Sequence, residues 1–315
     1  MRGGFSEQEQ RLAYDGVSRL RDHIQELIDN IQTKGNRVKT GFPLLDTFTN
    51  GLRPGSMCIL AARPAVGKTA FALNLMMNVA KTIPDKKPVV FFSCEMSESE
   101  ILNRVYSQML KMSVHDIENG VGGNDTWFRL VTEIKGIADC NMCFLDRPGY
   151  SARDICRESR KIAKLFGGVG LIIIDYLQLL ASDPERRFDN RTVEVSISSR
   201  TLKLLAGELN CPVIVLSQLS RDVERRSDRT PNNADLRDSG AIEQDADLIL
   251  MLSRNVVNNA KSAVLTITKN RHGGTGKIYL DFDGTSCSFT ESTRNGQAGS
   301  SSHGIAPPPF TSNQV

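Results

Sequence analysis

Short aliphatic runs alternate with longer amphipathic segments along this chain, and that alternation restricts the fold more than any other feature. Runs such as "MCILAA", "PVVFFS", "MCFL", "LIIID" and "PVIVLS" have the length and β-branched content of buried strands. Apolar residues recur at helical spacing in four segments between the early runs: Lys68–Lys81, Ser97–Lys111, Ser151–Phe166 and Thr192–Asn210. Strands separated by helices predict an α/β fold, a mainly parallel sheet flanked by helices.

The two ends of the chain depart from this alternation. The late runs "DLILML", "AVLTIT" and "KIYLDF" follow one another without helices, which predicts an antiparallel C-terminal extension. Residues 292–315 are rich in Ser, Gly and Pro, so we expect a disordered tail. Apolar residues at helical spacing from about Glu7 to Gln32 predict an amphipathic linker helix within residues 1–36. It either folds back on its own domain, residues 37–291, or docks on a neighbouring subunit.

Composition narrows the class of protein without naming a partner. Of the 315 residues, 40% are hydrophobic and 24% are charged, as in ordinary globular proteins. The net charge of +3 is too small to indicate a nucleic-acid partner, so local clusters must carry any such binding. The N-terminus lacks an apolar signal region. The chain has seven cysteines, an odd number, and we interpret these residues as reduced. We therefore expect a cytoplasmic protein without a membrane partner.

The segment "MCILAARPAVGKTAFALNLMMNVA" reads as a strand, a turn and a helix. A turn ending in Gly-Lys-Thr before a helix directs successive backbone N–H groups and the helix N-terminus at a polyphosphate. Lys68 would reach the β- and γ-phosphates of ATP, and the Thr69 hydroxyl would bind Mg²⁺. Ala62 stands where the usual pattern has its first glycine. The candidate nucleotide-binding residues are Arg63, Pro64, Ala65, Val66, Gly67, Lys68, Thr69 and Ala70.

Polar side chains end or follow three other predicted strands. Asp175 ends "LIIID", where a carboxylate can hold the Mg²⁺ shell together with Thr69. Glu95 follows "VVFFSC" and can orient and deprotonate an attacking water, and Gln218 ends "VIVLSQ", where an amide can sense the γ-phosphate. Each residue also has an ordinary interpretation as a polar group at a strand end or a helix start.

Taken together, these segments resemble the RecA-like, P-loop NTPase motor domain of the DnaB family of replicative hexameric helicases. The resemblance runs from about Thr40 to Phe289 in order. It includes "TGFPLLDTFTNGLRPGSMCILAARPAVGKTAFALN", "FSCEM", "IIIDYLQLL", "DNRTVEVSISSRTLKLLAGEL", "VIVLSQLSRDVERR", "DLRDSGAIEQDADLILML" and "TKNRHGGTG". Alanine at position 62 is also typical of this family, so the missing glycine supports the resemblance.

The resemblance implies a homohexameric ring that binds ATP between subunits. One subunit would supply Lys68, Thr69, Glu95, Asp175 and Gln218. Its neighbour would supply Arg271 as an arginine finger, with Lys269 beside it. Without the resemblance, Arg271 would read as a surface charge flanking a hairpin.

The resemblance also places contacts to single-stranded DNA in "SRDVERRSDRTPNNADLRDSG". Arg237, Asp238 and Gly240 match the strand-contacting positions of the family, and Arg221 and Arg229 add positive charge for the phosphate backbone. Asp238 departs from the glutamate usual in the family, which implies a shorter reach.

The function implied is that of an ATP-dependent replicative DNA helicase that moves 5′ to 3′, with a helicase loader and a primase as partners. The family's N-terminal collar domain has no counterpart in this sequence. We therefore expect either a fragment or a compact phage- or plasmid-type form, in which recruitment of primase through a collar is in question. Two alternatives stay open: a RecA-like ATPase without unwinding activity, such as a recombination mediator or a clock-type protein, and a binding or regulatory fragment without motor function.

Overall fold

The computed structural model describes residues 37–296 apart from positions 122, 124–127, 129–130, 134–139, 183–189, 227–230, 237–238 and 255–260. The chain divides into two units, Met1–Arg37 and Val38–Val315, and the sheet and its helices belong to the second. The predicted linker helix lies outside the described residues, and so does the tail from residue 297 onwards. Three predicted DNA contacts also lie outside them: Arg229, Arg237 and Asp238.

The centre of the molecule is a nine-stranded sheet in the order β3-β2-β4-β5-β1-β6-β7-β8-β9. The strands are β1 Met57–Ala62, β2 Val89–Ser93, β3 Met142–Asp146, β4 Leu171–Asp175, β5 Val213–Gln218, β6 Leu248–Arg254, β7 Ser262–Asn270, β8 Gly276–Asp283 and β9 Ser288–Glu291. The first six are parallel, whereas β7, β8 and β9 are antiparallel. The predicted parallel sheet with an antiparallel extension is confirmed, and β9 is an addition to it.

Helices cover both faces of the sheet. They are α1 Pro43–Thr49, α2 Lys68–Thr82, α3 Glu98–Leu110, α4 Val114–Glu118, α5 Ala152–Phe166, α6 Arg191–Leu209, α7 Asp222–Arg225 and α8 Ser239–Asp245. Two buried apolar clusters lie between the sheet and its helices. One includes residues of α2 and α3, and the other includes residues of α5 and α6. The four predicted helices are confirmed to within two residues at each end. Among the described residues, no helix is both long and apolar enough to cross a bilayer.

The burial of the strands explains why the parallel part was readable from sequence. Every residue of β1, β2 and β4 is buried, because helices lie on both faces of a parallel sheet. In β7 every second residue in Ala263–Ile267 is buried, which leaves one face partly exposed, as in many antiparallel sheets. A continuous apolar run therefore indicates the parallel strands, and alternation indicates the extension.

Four phenylalanine rings connect the extension to the helix that follows the predicted phosphate loop. Phe71 of α2 packs against Phe42, with ring centroids 4.9 Å apart, and against Phe289 of β9 at 5.6 Å. Phe289 in turn packs against Phe282 of β8 at 4.7 Å. The antiparallel strands thus form part of the same core as α2.

The ordered chain continues past Ser292, where the sequence predicted the tail to begin. Ser292 is buried, and Thr293–Gly296 form a 3₁₀ turn. The side chain of Asn295 accepts a hydrogen bond from Tyr279 N at 2.9 Å and donates one to Tyr279 O at 2.9 Å. These two bonds satisfy backbone groups of β8, so the turn completes the sheet.

Candidate nucleotide site

The ends of the parallel strands bring the predicted nucleotide residues to one edge of the sheet, which we call the carboxyl edge. Ala62 of β1 lies beside Gln218 of β5, and Asp175 of β4 lies beside Ser93 of β2. A cavity of about 650 Å³ opens at this edge. The predicted residues that line it are Arg63, Pro64, Ala65, Gly67, Lys68, Thr69, Ala70, Glu95 and Gln218.

The turn between β1 and α2 has the backbone of a phosphate-binding loop. Ala65 has a φ of 63° and Gly67 a φ of 107°, both in the left-handed region. A Cβ atom at Gly67 would lie 2.8 Å from Phe289 Cζ, so only glycine fits there. Ala62, in contrast, is the last residue of β1 and is buried in extended backbone. A methyl group is accommodated at that position, which explains why the usual first glycine is dispensable in this loop.

Lys68 and Thr69 line the cavity, and the buried Asp175 contacts both of them to form a polar centre. The Thr69 hydroxyl donates a hydrogen bond of 2.6 Å to Asp175 Oδ2, and Lys68 Nζ lies 3.7 Å from Asp175 Oδ1. The ammonium also lies 3.9 Å from the centroid of the Tyr176 ring. Burial lowers the pKa of Lys68, and the nearby charges of Asp175 and Glu95 partly offset that effect. The lysine is therefore a desolvated cation held ready for an anion.

The residues at this centre fit a magnesium ion. Asp175 is only 2% exposed, and its Oδ1 is a buried oxygen that accepts no hydrogen bond from the described residues. The distance of 3.7 Å from Lys68 Nζ to that oxygen is an ion-pair distance, too long for a hydrogen bond. A carboxylate oxygen with free coordination capacity beside a hydroxyl is the kind of ligand set that Mg²⁺ prefers.

Glu95 and Gln218 lie at the mouth of the cavity. Glu95 is exposed and follows β2, close enough for its charge to act on Lys68. Gln218 is half-buried, and its backbone N–H donates to Gln178 Oε1 at 3.2 Å. Gln178 also donates to Ser217 Oγ at 2.9 Å, so it fixes the end of β5. The structure brings both predicted residues to the same cavity as Lys68.

Arg63 and Val66 occupy positions that their sequence assignment did not foresee. Arg63 Nε donates to Glu224 Oε1 at 2.8 Å, and Nη1 donates to Leu219 O at 2.8 Å. The side chain of Arg63 therefore ties the phosphate loop to the segment after β5. Val66 is 4% exposed, and its side chain packs in the core. Only the backbone of Val66 therefore contributes to the phosphate loop.

Arg254 is a residue of the site that sequence reasoning missed. It ends β6, and it donates from Nη2 to Ala65 O at 3.0 Å and from Nε to Val66 O at 3.2 Å. The guanidinium carbon lies 4.1 Å from the centroid of the Phe282 ring, and burial lowers the pKa of Arg254. The sequence shows only that Arg254 follows the apolar run of β6, and its contacts with the loop carbonyls and with Phe282 have no local sequence signal.

Arg271 and Lys269 lie away from this cavity, at the opposite edge of the sheet. This amino edge is where β1 and β6 begin. The Arg271 N–H donates to Asp247 O at 2.9 Å, and Asp247 immediately precedes β6. The length of β1, roughly 17 Å at 3.3 Å per residue, separates the two edges. Lys269 Nζ donates to Glu243 O. The structure therefore does not bring these two residues together with Lys68 of the same chain.

The described DNA-binding candidates are Arg221 and Gly240. Both are exposed; Arg221 directly precedes α7, and Gly240 lies in the first turn of α8. A bridge between Leu219 and Leu236 holds the ends of the intervening segment together. Leu219 also donates its N–H to Ala62 O at 3.1 Å, so the segment begins directly beside the phosphate loop.

Several curated relatives carry the name "Replicative DNA helicase DnaB". The protein of Haemophilus influenzae is 40% identical over 254 residues, which is 78% of this chain and 53% of the relative. The protein of Geobacillus stearothermophilus is 37% identical over 284 residues, 87% of this chain and 62% of the relative. The chain thus spans between about half and three fifths of the length of these relatives.

Two solved structures are similar in fold. One is the ATPase domain of a second protein, and it matches with a TM-score of 0.80 and 32% identity over 89% of this chain and 100% of that chain. The other is a DnaB-like replicative helicase, solved in a study of its interactions with primase, and it matches with a TM-score of 0.77 and 32% identity. That match covers 90% of this chain and 69% of the other.

The match to the family itself is broader than any single motif. The family model for the DnaB-like helicase C-terminal domain matches residues 37–291, which include the whole sheet and every described residue of the cavity. By sequence, fold and site geometry together, this chain belongs to the DnaB-like helicase C-terminal domain family.

Proposed function

We propose that this chain is the ATP-hydrolysing motor of a replicative DNA helicase, with residues 37–291 as its motor domain. It works as a hexameric ring that moves 5′ to 3′ on single-stranded DNA in the cytoplasm. The observation that carries this proposal is that the predicted site residues lie at two opposite edges of the sheet. Lys68 and Asp175 lie at the carboxyl edge, whereas Arg271 and Lys269 lie at the amino edge. A complete site then requires two copies.

Binding of the triphosphate is the task of the loop between β1 and α2. Its backbone N–H groups and the amino end of α2 face the cavity, and a helix N-terminus attracts phosphate. Lys68 pairs with the β- and γ-phosphates and exchanges its contact with Asp175 for them. Thr69 and Asp175 would hold Mg²⁺, which would neutralise phosphate charge.

Hydrolysis needs a positioned water and a charge that stabilises the transition state. Glu95 orients the water and accepts its proton, and its exposed carboxylate at the mouth of the cavity suits that role. Gln218 contacts the γ-phosphate. Arg271 of the neighbouring copy, with Lys269 beside it, neutralises the charge that develops on the transferred group. Hydrolysis then depends on the geometry of the interface.

Coupling to DNA runs through the segment after β5. Gln218 is joined directly to Leu219, which bonds to Ala62 O and accepts from Arg63. A change at the γ-phosphate therefore reaches the segment that carries the DNA contacts. Those contacts are Arg221, Arg229, Arg237, Asp238 and Gly240. Their cations and backbone N–H groups track phosphates without reading bases.

A primase and a helicase loader are the protein partners that this function implies. One of the structurally similar proteins, a DnaB-like replicative helicase, interacts with primase. A replicative helicase also has to be placed on its strand before it can move, which is the task of a loader.

The proposal is tested by measuring ATPase activity with and without single-stranded DNA, together with strand displacement on a forked duplex. We expect DNA to stimulate turnover and ATP to drive displacement. Lys68→Ala should abolish both activities, and Lys81→Ala should retain them, since Lys81 is exposed in the last turn of the same helix. An active Lys68→Ala protein contradicts the site. ATPase activity without displacement, in a confirmed hexamer, favours a RecA-like ATPase that does not unwind.

A further inference from the structure

We propose that Asp247 is the positioning residue of the Arg271 finger. Together with the Gln244 carbonyl, the Asp247 carboxylate forms a finger cradle at the amino edge, which aims the guanidinium at the nucleotide of the neighbouring copy. The inference rests on the proposed function, in which Arg271 acts across an interface.

The cradle holds Arg271 at three points. Its backbone N–H donates to Asp247 O at 2.9 Å, Nη1 donates to Asp247 Oδ1 at 3.2 Å, and Nη2 donates to Gln244 O at 2.6 Å. Each of the two terminal nitrogens therefore uses one donor within its own chain. With 46% of the side chain exposed, the group keeps further N–H donors for an anion that approaches from outside.

The carboxylate of Asp247 is itself fixed by other groups. Its Oδ2 accepts hydrogen bonds from Met57 N at 2.8 Å and from Lys203 Nζ, and Lys203 also donates to Gly55 O at 3.1 Å. Burial raises the pKa of Asp247, but the hydrogen bonds from Lys203 and Met57 and the charges of Lys203 and Arg271 together outweigh it, so the pKa lies below its usual value. Asp247 is thus an ionised group with a fixed orientation.

Asp247 Oδ1 pairs with Arg271, but Arg271 is not needed to balance the charge of the carboxylate, and this favours a positioning role over a structural one. Lys203 already balances the buried charge, and Met57 N–H completes the pairing of Oδ2. An ion pair with one half-exposed partner contributes little to stability. What the contact does supply is orientation, because an arginine has many rotamers and two bonds to its planar group select few of them.

Lys269 is held in the same way by the carbonyl of Glu243, the residue before Gln244. Its Nζ donates to Glu243 O, next to the Gln244 carbonyl that binds Arg271. The end of α8 therefore orients both cations, and α8 carries Gly240 in its first turn. A short helix that bears a DNA-binding candidate at one end thus holds the finger pair at the other.

The first test compares Asp247→Asn with Asp245→Asn. Asp245 is also buried, but its carboxylate bonds to Ser199 at 2.9 Å and to Arg200 at 3.2 Å. We expect Asp247→Asn to lower kcat of the DNA-stimulated ATPase at least about tenfold, with KM for ATP within about twofold of wild type. Asp245→Asn should leave both constants within about twofold. An unchanged kcat in Asp247→Asn overturns the inference.

The second test is complementation between subunits. In rings mixed from Asp247→Asn and Lys68→Ala chains, some sites combine an intact phosphate loop from the first with an intact finger cradle from the second. We expect such mixtures to regain ATPase activity that neither protein shows alone. A purely structural defect in Asp247→Asn would damage its own phosphate loop as well, and mixing would then recover nothing.

A reference mixture of Arg271→Ala with Lys68→Ala separates this inference from the proposed function. Recovery in the reference but not with Asp247→Asn overturns the cradle and leaves the interfacial finger intact. Recovery in neither mixture overturns the interfacial finger, and the cradle with it.

If Asp247→Asn does not fold, Lys203→Met takes its place in both tests, with Arg200→Met as its control on the same helix. Lys203→Met leaves Asp247 present but less firmly oriented, so we expect a smaller loss of kcat that mixing also restores. A folded Lys203→Met with wild-type kcat contradicts the inference.

Discussion

Gly67 shows how a single residue of the loop is restricted by both conformation and space. Its φ of 107° is costly for any side chain, and an added Cβ would lie 2.8 Å from Phe289 Cζ and 3.1 Å from Cε2. Phe289 cannot withdraw easily, since it packs against both Phe71 and Phe282.

We expect Gly67→Ala to destabilise the fold by about 1–3 kcal/mol, because backbone strain and a close contact add together. It should also weaken ATP binding, since the loop must shift to relieve the contact. Chemical denaturation and a nucleotide titration measure the two effects. The matched control is Gly207→Ala in α6, where an added Cβ meets nothing within 4 Å. That change should stabilise by up to about 1 kcal/mol. Equal stability of the two variants would contradict this account.

At the residue scale, the sequence predicted the centre of the site better than its walls. Lys68, Thr69 and Asp175 were assigned from strand ends and a Gly-Lys-Thr turn, and the structure places them in contact. Arg254 was missed because an arginine at a strand end is usually a surface charge. Its role at the cavity depends on Phe282 and on two carbonyls of the loop, which no local pattern reveals.

Among the elements, α5 illustrates how local sequence fixes a boundary. Ser151 caps its first turn by accepting from Asp154 N at 3.1 Å, and Asp154 accepts in return from Ser151 N at 3.1 Å. Burial raises the pKa of Asp154, but hydrogen bonds from Ser151 and Arg157 outweigh it and lower the pKa to about 2. The carboxylate therefore stabilises the fold above its unfolded pKa, and this contribution is lost as pH falls towards 2.

We expect Ser151→Ala to lower the free energy of unfolding by about 1 kcal/mol at neutral pH, as is usual for loss of an N-cap. The gap to wild type should narrow at pH 2.5, where protonation of Asp154 begins to remove the capping box from the wild type as well. Urea denaturation at the two pH values measures both quantities. Ser196→Ala is the control, since that hydroxyl only bonds back to Thr192 O inside α6. A gap that widens in acid would refute the role given to Asp154.

The longer elements were predictable, whereas the short ones were not. Apolar runs and helical periodicity located the buried strands and the four longest helices of the described residues. Helix α1 has only seven residues, and its start is stabilised by Glu291 Oε1, which accepts from Leu44 N at 2.8 Å and Leu45 N at 3.4 Å. That carboxylate is 247 residues away from Leu44 in sequence. Interactions over such a distance decide whether a short helix forms, and no sequence window contains them.

At the scale of the whole molecule, the sequence did not predict the order of the strands in the sheet. Alternating strands and helices indicate a parallel sheet but not which strand lies in its middle. The placement of β1 between β5 and β6 follows from packing of the complete chain. The opposite positions of Lys68 and Arg271 follow from that placement, and the sequence alone did not show that Arg271 contacts Asp247.

We expect native mass measurements with a non-hydrolysable ATP analogue and oligo-dT to show six copies of the 34.8 kDa chain. In the proposed ring the nucleotide contacts both sides of each interface, so assembly should depend on it. Arg271→Ala should reduce the fraction of hexamer, because one of those contacts is lost. The control is Arg294→Ala, which removes a surface pair with Asp281 and a hydrogen bond to Ser292 Oγ. A protein that stays monomeric at every concentration would rule out the ring.

Strand β1 begins beside Asp247 and ends at the phosphate loop, so a single strand connects two dissimilar faces of the molecule. In the proposed ring, one of these faces would meet the other face of the next copy. Two such faces cannot pair about a two-fold axis, so each association is heterologous and an open row of copies keeps one unfilled face at each end. The addition of further copies stops only when successive copies are related by a rotation without translation, so that the last copy contacts the first and the ring closes. If each copy is also translated along the rotation axis, the assembly is an open spiral. The gap between its first and last copies would let a circular polymer enter the centre.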